Sequence, residues 1–326
     1  MRSINITEIP GFLFGHAQNE EAATGCTVIL AEEGAVAGVS VRGGAPGTRE
    51  TDLLKSENLV QSVHAVFMAG GSAYGLQAGG GIMEALEARG IGFTTQAAKV
   101  PIVPGAILYD LTIGSSTVRP DSHMGRQACE NAFLNKPFSN GNYGVGTGAV
   151  VGKISGDQFA MKGGVGSFAV QVDDLQVGAV VAVNCFGDVI DPYSQRRLAG
   201  VYDRKEHTYR KTEAVLIEQM AASPSNRFSE NTSLGTVVTN AALTKAQSNK
   251  LSDVAHNGFA RTMIPSHTFV DGDTLFSLST GEVEVDVNSL SFLYPYVVEQ
   301  AVLKAIKAAK RSHGIIAYQN VKYRVK

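Results

Sequence analysis

A chain of 326 residues with 44% hydrophobic and 18% charged side chains has ample length for a buried core and the composition of an ordinary globular protein. A net charge of −2, with Lys and Arg dispersed, gives nucleic acid no basic surface to follow, and no stretch is apolar enough to span a bilayer. The opening MRSINITEIPGFLFGHAQ lacks the basic and then apolar pattern of a secretory signal, so a cytoplasmic protein is expected, with Cys26, Cys129 and Cys185 as reduced, mostly buried thiols.

The three cysteines and seven histidines show no metal-ligand spacing, and neither a metal nor a cofactor is expected. The 36 glycines fall in clusters, which points to tight loops and close backbone approaches. Residues 27–41 read as a hairpin, Thr27–Leu30 and Ala35–Val41 about a turn at Glu32–Gly34. The glycine- and charge-rich segment Arg42–Asp52 follows as a loop, either ordered for function or mobile at the surface. His64–Ala69 is a short apolar strand that opens through Gly70–Gly75 into a helix ending at Gly90. Three consecutive glycines inside that helix, 79–81, imply that a neighbouring element approaches it closely.

Val100–Asp110 is extended and proline-punctuated, with Tyr109 either at a site or a structural tyrosine; residues 125–135 read as a helix. Gly144–Lys153 fits the letters of a dinucleotide fingerprint, but no strand precedes it, so that reading fails. Lys153 and Lys162 each adjoin a glycine-rich turn from which a lysine could reach a buried site. Val177–Val183 is an apolar strand that ends at Asn184, whose carboxamide could serve an oxyanion or start a turn. Residues 191–230 turn polar, helical around Glu213–Met220 and otherwise an irregular, exposed connection.

The segment Ser229–Thr239 organises the rest. A turn-prone run, Ser223–Arg227, leads to Asn231-Thr232-Ser233 and then a β-branched strand, Thr236–Thr239. Were the Asn231–Thr232 bond cut, Thr232 would carry a hydroxyl nucleophile and an adjacent amine base; the competing reading is an Asx turn. A capping box at Thr244–Gln247 opens the next helix, and Leu275–Ser279 is the following strand. A strand–helix–strand unit makes its two strands parallel, so Thr232, Asp271 and Asp273 are expected at one sheet edge, joined by Asn184 if its strand pairs antiparallel beside them. The chain closes with an amphipathic helix over Tyr296–Arg311, Pro295 near its start.

Laid out this way, the chain resembles the DmpA-type β-aminopeptidase and L-aminopeptidase–D-esterase family, nearest the nylon-oligomer hydrolase branch. Val39–Leu53, Phe67–Gly80, Lys99–Tyr109, Gly146–Gly166, Asn231–Ala241 and His267–Gly281 carry the likeness. It implies an α/β fold, a four-layer α/β/β/α sandwich of the N-terminal-nucleophile kind with DmpA-type connectivity. The single domain, 1–326, would cut itself into chains 1–231 and 232–326 and assemble as a homo-oligomer, a tetramer or larger. Thr232 would be the nucleophile and its freed amine the base, with Asn184 at the oxyanion or substrate amide and Asp271 and Asp273 as orienting carboxylates. Lys153 would be the site lysine, with Lys162 its rival, and Tyr109 would lie on the substrate side. The implied reaction is hydrolysis of small peptides or β-/ω-amino acid amides, 6-aminohexanoate oligomers among them, through an acyl-enzyme. Acyl transfer of the ornithine acetyltransferase type, or an uncleaved binding protein, is the alternative. Where this branch often has Asn-Thr-Thr, the chain has Ser233.

Overall fold

The computed structural model describes residues 1–222 and 231–321; the turn expected at 223–227 lies outside them. Ten strands form the main sheet: β1 Arg2–Ile4, β2 Leu13–Asn19, β3 Thr24–Val41, β4 Thr48–Arg49, β5 Ser62–Ala69, β6 Gly105–Ile107, β7 Gly164–Val172, β8 Leu175–Val183, β9 Leu234–Ala241 and β10 Thr274–Val283. Their order is β1-β7-β8-β9-β10-β3-β5-β6-β4, with β2 beside β3. Among the described residues there are five α-helices, α1 Ala78–Glu87, α2 Ser122–Phe133, α3 Thr212–Ala222, α4 Lys245–Thr262 and α5 Val287–Ala308, of which α1, α2, α4 and α5 pack on the sheet.

The hairpin expected over 27–41 is instead one 18-residue strand, β3. Its first half, Thr24–Leu30, pairs with β2 and β5, and Val36–Val41 pairs with β10. Between Leu30 and Ala35 the register against β5 slips, with Gly34 at φ +84°. That is a bulge, which bends a strand without reversing it. The glycine after two glutamates has the signature of a turn. Distant strands satisfy the backbone on both sides of it, so the chain continues.

The bend divides the sheet into two layers, and alternation along the strands fills three cores. On β8, Val177, Ala179, Val181 and Val183 face the helices α4 and α5. Val180 and Ala182 face the opposite way, into a core shared with Ile29, Val66 and Met68. The other faces of β3 and β5, with Val28, Leu30, Ala65 and Phe67, pack on α1 and α2. The layers therefore run helix, sheet, sheet, helix, as the resemblance implies.

The glycine-bearing helix is α1, and α2 is the close neighbour: a Cβ on Gly81 would lie 1.7 Å from the Ser122 carbonyl oxygen. Three further segments depart from the sequence reading. First, α2 begins earlier than residue 125, because the Asp121 side chain caps it through the Met124 N–H. Second, the described part of the polar stretch, residues 191–222, is not a loose connection. Short strands Arg197–Ala199, Val201–Asp203 and Thr208–Arg210 lie in it, with Leu198 and Tyr202 buried. Buried Asp188 ties them together, accepting from Arg197 Nε at 2.9 Å, Val201 N at 3.1 Å and Thr212 N at 2.9 Å.

Third, α5 starts at the Asp286 N-cap and places Pro295 in its interior. An interior proline costs about 3 kcal/mol. Burial of Leu290, Leu293, Tyr294, Val297 and Val298 along the same helix outweighs it, at about 1.5–3 kcal/mol for each fully buried large apolar side chain.

Candidate active site

Strand pairing assembles the site. β9 and β10 run parallel in the register Leu234↔Thr274, and β8 lies antiparallel to β9 with Ala182↔Leu234. The residues just outside these strands therefore meet at one edge, as the strand–helix–strand argument requires. Asn231 and Asp271 form a further parallel bridge below it.

Thr232 is 4% exposed in the continuous chain. Its hydroxyl donates to the Asn231 carbonyl oxygen at 2.5 Å, and the Gly272 N–H donates to the same oxygen at 2.8 Å. The Thr232 N–H donates to the Asn184 main-chain carbonyl at 3.1 Å, and the Asn231 N–H to that of Val270 at 3.0 Å. The peptide unit between Asn231 and Thr232 is thus held at its oxygen and its nitrogen, with a hydroxyl beside its carbonyl.

Around it stand two buried carboxylates. Asp271 accepts from Phe186 N at 3.2 Å through Oδ1, and from Thr268 N at 3.1 Å and Thr268 Oγ1 at 2.6 Å through Oδ2. Asp273 accepts from Ser233 N at 2.8 Å through Oδ1 and from His267 through Oδ2. Burial, and then the negative charge of Asp273, push the Asp271 carboxyl up to about 6.

The Asn184 carboxamide is fully buried. Its Oδ1 accepts from Val150 N at 2.9 Å and Lys153 Nζ at 3.1 Å, while Nδ2 donates to the Tyr109 carbonyl at 3.1 Å. Tyr109 is therefore tied to the cluster through its main chain. Lys153 is half-buried, and desolvation lowers its ammonium to about 8, against the opposing pull of Cys185, Asp271 and Asp110. Lys162 is 0% exposed and donates to the carbonyls of Thr147 at 2.9 Å and Ala149 at 2.7 Å. It pins the glycine turn whose Val150 N–H orients Asn184, whereas Lys153 is the lysine bonded to Asn184 itself.

Sequence reasoning missed a glycine of this cluster. Gly272 supplies the N–H on the Asn231 oxygen, and a Cβ there would lie 2.6 Å from Thr232 Oγ1. A glycine between two singled-out aspartates is the signal that would have found it. The loop Arg42–Asp52, read from the sequence as either ordered for function or mobile, packs on this segment through Arg42–Gly47. Its Gly43 N–H meets the Asp273 carbonyl, Gly44 N that of Thr268, and Ala45 N that of Asp271 at 2.8 Å. The glycine-rich loop is ordered, because it completes the hydrogen bonding of the segment beside Thr232.

Known proteins resemble this chain in sequence and fold. The profile of Peptidase family S58 matches residues 5–318. An uncharacterized aminopeptidase of Mycobacterium tuberculosis is 40% identical over 298 residues, covering 86% of this chain and 83% of that protein. A 6-aminohexanoate-oligomer endohydrolase of Kocuria sp. is 31% identical over 317 residues, covering 92% of this chain and 85% of that one. Among solved structures, a β-aminopeptidase of Burkholderia sp. superposes with a TM-score of 0.66 at 21% identity, covering 98% of this chain and 94% of its own. The L-aminopeptidase D-Ala-esterase/amidase of Ochrobactrum anthropi, described as a variant of the Ntn-hydrolase fold, gives a TM-score of 0.66 at 18% identity, covering 93% and 86%. The chain belongs to peptidase family S58, has the fold of these Ntn-hydrolase relatives, and is a hydrolase of peptide or amide bonds.

Proposed function

We propose that this hydrolase cuts its own chain between Asn231 and Thr232 and then uses Thr232 on amide substrates. The observation that carries the reading is the Asn231 carbonyl oxygen, held by the Gly272 N–H at 2.8 Å with the Thr232 hydroxyl on it at 2.5 Å. In the self-cutting step Thr232 Oγ bonds to the Asn231 carbonyl carbon. The oxygen takes negative charge against the Gly272 N–H, the C–N bond breaks, and the hydroxyl proton ends on the leaving amine. Water then opens the ester, leaving a carboxylate on Asn231 and a free amine on Thr232.

That amine has an ordinary pKa of about 7.7–8.0, which suits a base at neutral pH. The Asn184 carbonyl, already on the Thr232 nitrogen, would hold one of its hydrogens. Lys153 and the aspartates pull its pKa in opposite directions. A substrate carbonyl would take the place that Asn231 vacates, form an acyl-Thr232 ester, release its amine and be freed by water. Asn184, Lys153, Asp271, Asp273 and Tyr109 would orient these groups.

By analogy with the relatives' names, the substrates are small peptides or amides of β- or ω-amino acids, with 6-aminohexanoate oligomers as the first to try. The same reading makes 1–231 and 232–326 two chains of one domain, working in the cytoplasm as a homo-oligomer, a tetramer or larger, without nucleic acid. Membership in a peptidase family favours hydrolysis over acetyl transfer or a non-catalytic binding role.

Intact mass under denaturing conditions tests the first step. Cutting predicts fragments of about 10 and about 24 kDa in proportion to chain length, the smaller beginning at Thr232. Thr232→Ala should leave one chain of 34.4 kDa with no amidase activity. A wild-type chain that stays whole on incubation yet hydrolyses amides would refute the proposal.

A further inference from the structure

Asp273 is the buried carboxylate that fixes the main chain next to Thr232, and its second oxygen is held by His267. Oδ1 takes the Ser233 N–H at 2.8 Å. Oδ2 is chelated by His267, which gives its backbone N–H at 3.0 Å and its ring Nδ1 at 2.9 Å. A carboxylate oxygen only accepts from these groups, so the ring proton is on Nδ1.

His267 adopts φ +58°, in the left-handed region that non-glycine residues seldom occupy. Strain of that kind persists where surrounding contacts over-determine it. Here the contacts are the two hydrogen bonds to Asp273 and a wall from α4. His256 meets the His267 ring edge-on at 4.7 Å between centroids, and Phe259 lies at 6.3 Å. His256 is itself anchored, its Nε2 donating to the Ser40 carbonyl at 3.0 Å. A short relay therefore runs from β3 through α4 and two imidazoles to the carboxylate behind the nucleophile.

We infer that His267 is a positioning residue: its Nδ1–H locks Asp273, and Asp273 in turn holds the Ser233 amide and with it the Thr232 hydroxyl. The inference rests on Thr232 being the nucleophile. A neutral donor at the Nδ1 position suffices for the role, and asparagine offers one from Nδ2 while tolerating positive φ. Glycine tolerates the same φ and removes only the ring.

The test compares wild type, H267G, H267N, D273N and H267G/D273N in the full chain. The readouts are the rate of cutting at Asn231–Thr232 and kcat and KM on β-alanyl and 6-aminohexanoyl p-nitroanilides. A misplacement of about 1 Å at a reacting group is worth on the order of 100-fold in rate. H267G is therefore expected to lose about 10- to 100-fold in cutting rate and kcat with KM within about twofold, and H267N to recover to within about fivefold of wild type. H267G should add nothing to D273N, because the ring acts only through Asp273. H267L replaces the glycine variant if that does not fold. A donorless variant with wild-type rates, or an H267N as impaired as the donorless one, overturns the inference. Thr232→Ala is run alongside: it should be inactive whatever residue 267 does, so a silent H267G would remove the positioning role and leave the nucleophile assignment standing.

Discussion

Replacing Gly272 with alanine should disable the site while leaving its hydrogen-bond donor in place. The added Cβ would lie 2.6 Å from Thr232 Oγ1, 2.7 Å from the Ala45 carbonyl oxygen and 3.2 Å from Pro46 Cα. Carbon and oxygen atoms in ordinary contact sit about 3.4 Å or more apart, so the hydroxyl or the Arg42–Gly47 loop must move by about 0.8 Å. Ala45 is bonded to the Asp271 carbonyl at 2.8 Å, which leaves the loop little room to yield. Displacing the nucleophile by about that much lowers rate on the order of 100-fold, and the overpacking costs about 1–3 kcal/mol of stability. The assay is the time course of the 34.4 kDa chain on denaturing gels, with kcat on a p-nitroanilide and a melting curve on the same sample. A G272A chain that cuts at the wild-type rate and keeps kcat within about threefold would refute the steric argument.

Two neighbouring glycines of α1 should respond oppositely. Gly80 meets only Ser122 Oγ at 3.5 Å, so Gly80→Ala should stabilise by about 0.5–1 kcal/mol, the helical difference between the two residues. Gly81→Ala drives a Cβ to 1.7 Å from the Ser122 carbonyl oxygen and should destabilise by more than that gain; chemical denaturation measures both. Lys162→Met leaves the buried Thr147 carbonyl without its Lys162 donor, whereas Ala149 keeps the Gly163 N–H, so a loss of about 1–3 kcal/mol is expected. Because burial lowers Lys162 to about 7, the cost of its charge is present below that pH and fades as pH rises toward its ordinary value. Wild type should therefore gain on the Met variant between about pH 7 and 10, read from paired denaturation curves. Activity should rise as Asp271 ionises near pH 6 and again as the freed Thr232 amine loses its proton, ordinarily at about 7.7–8.0, and fall as Lys153 loses its proton near pH 8, giving a narrow bell in kcat/KM. Lys153→Met should abolish the falling limb that belongs to Lys153.

The local signals that survived in the structure are those that short-range physics settles. The Thr244 capping box opens α4, with Thr244 Oγ1 accepting from Gln247 N and the Gln247 side chain from Thr244 N. The apolar run at Val177–Val183 is a strand, because on a buried sheet both faces need such side chains. The parallel unit β9–α4–β10 follows from connectivity alone, and it brings Thr232, Asp271 and Asp273 to one edge. Glycine triplets within a helix announced a close neighbour, although not that its backbone would press on Gly81 while sparing Gly80.

Other features were decided only where distant segments compete for the same groups. Residues 32–34 carry turn chemistry, yet β2, β5 and β10 supply partners on both sides, so β3 bends there and continues. Pro295 marks a helix start by local rule, but the apolar residues before it reach the core only if α5 begins at Asp286. Lys153 and Lys162 are equivalent by sequence, each beside a glycine turn. The fold spends one ammonium on the carbonyls of Thr147 and Ala149 and brings the other to Asn184. His267 and Gly272 gained their places in the same way, because a carboxylate's partners and a Cβ's clearance depend on atoms far away in sequence. The sequence by itself thus determined many of the helices and strands and the edge at which the chemistry gathers, since periodicity, capping and strand–helix–strand handedness act within a few residues or one supersecondary unit, while the layered class came with the family resemblance. The tertiary structure decided which donor meets which acceptor there, because hydrogen-bond geometry and steric clearance are properties of the packed whole.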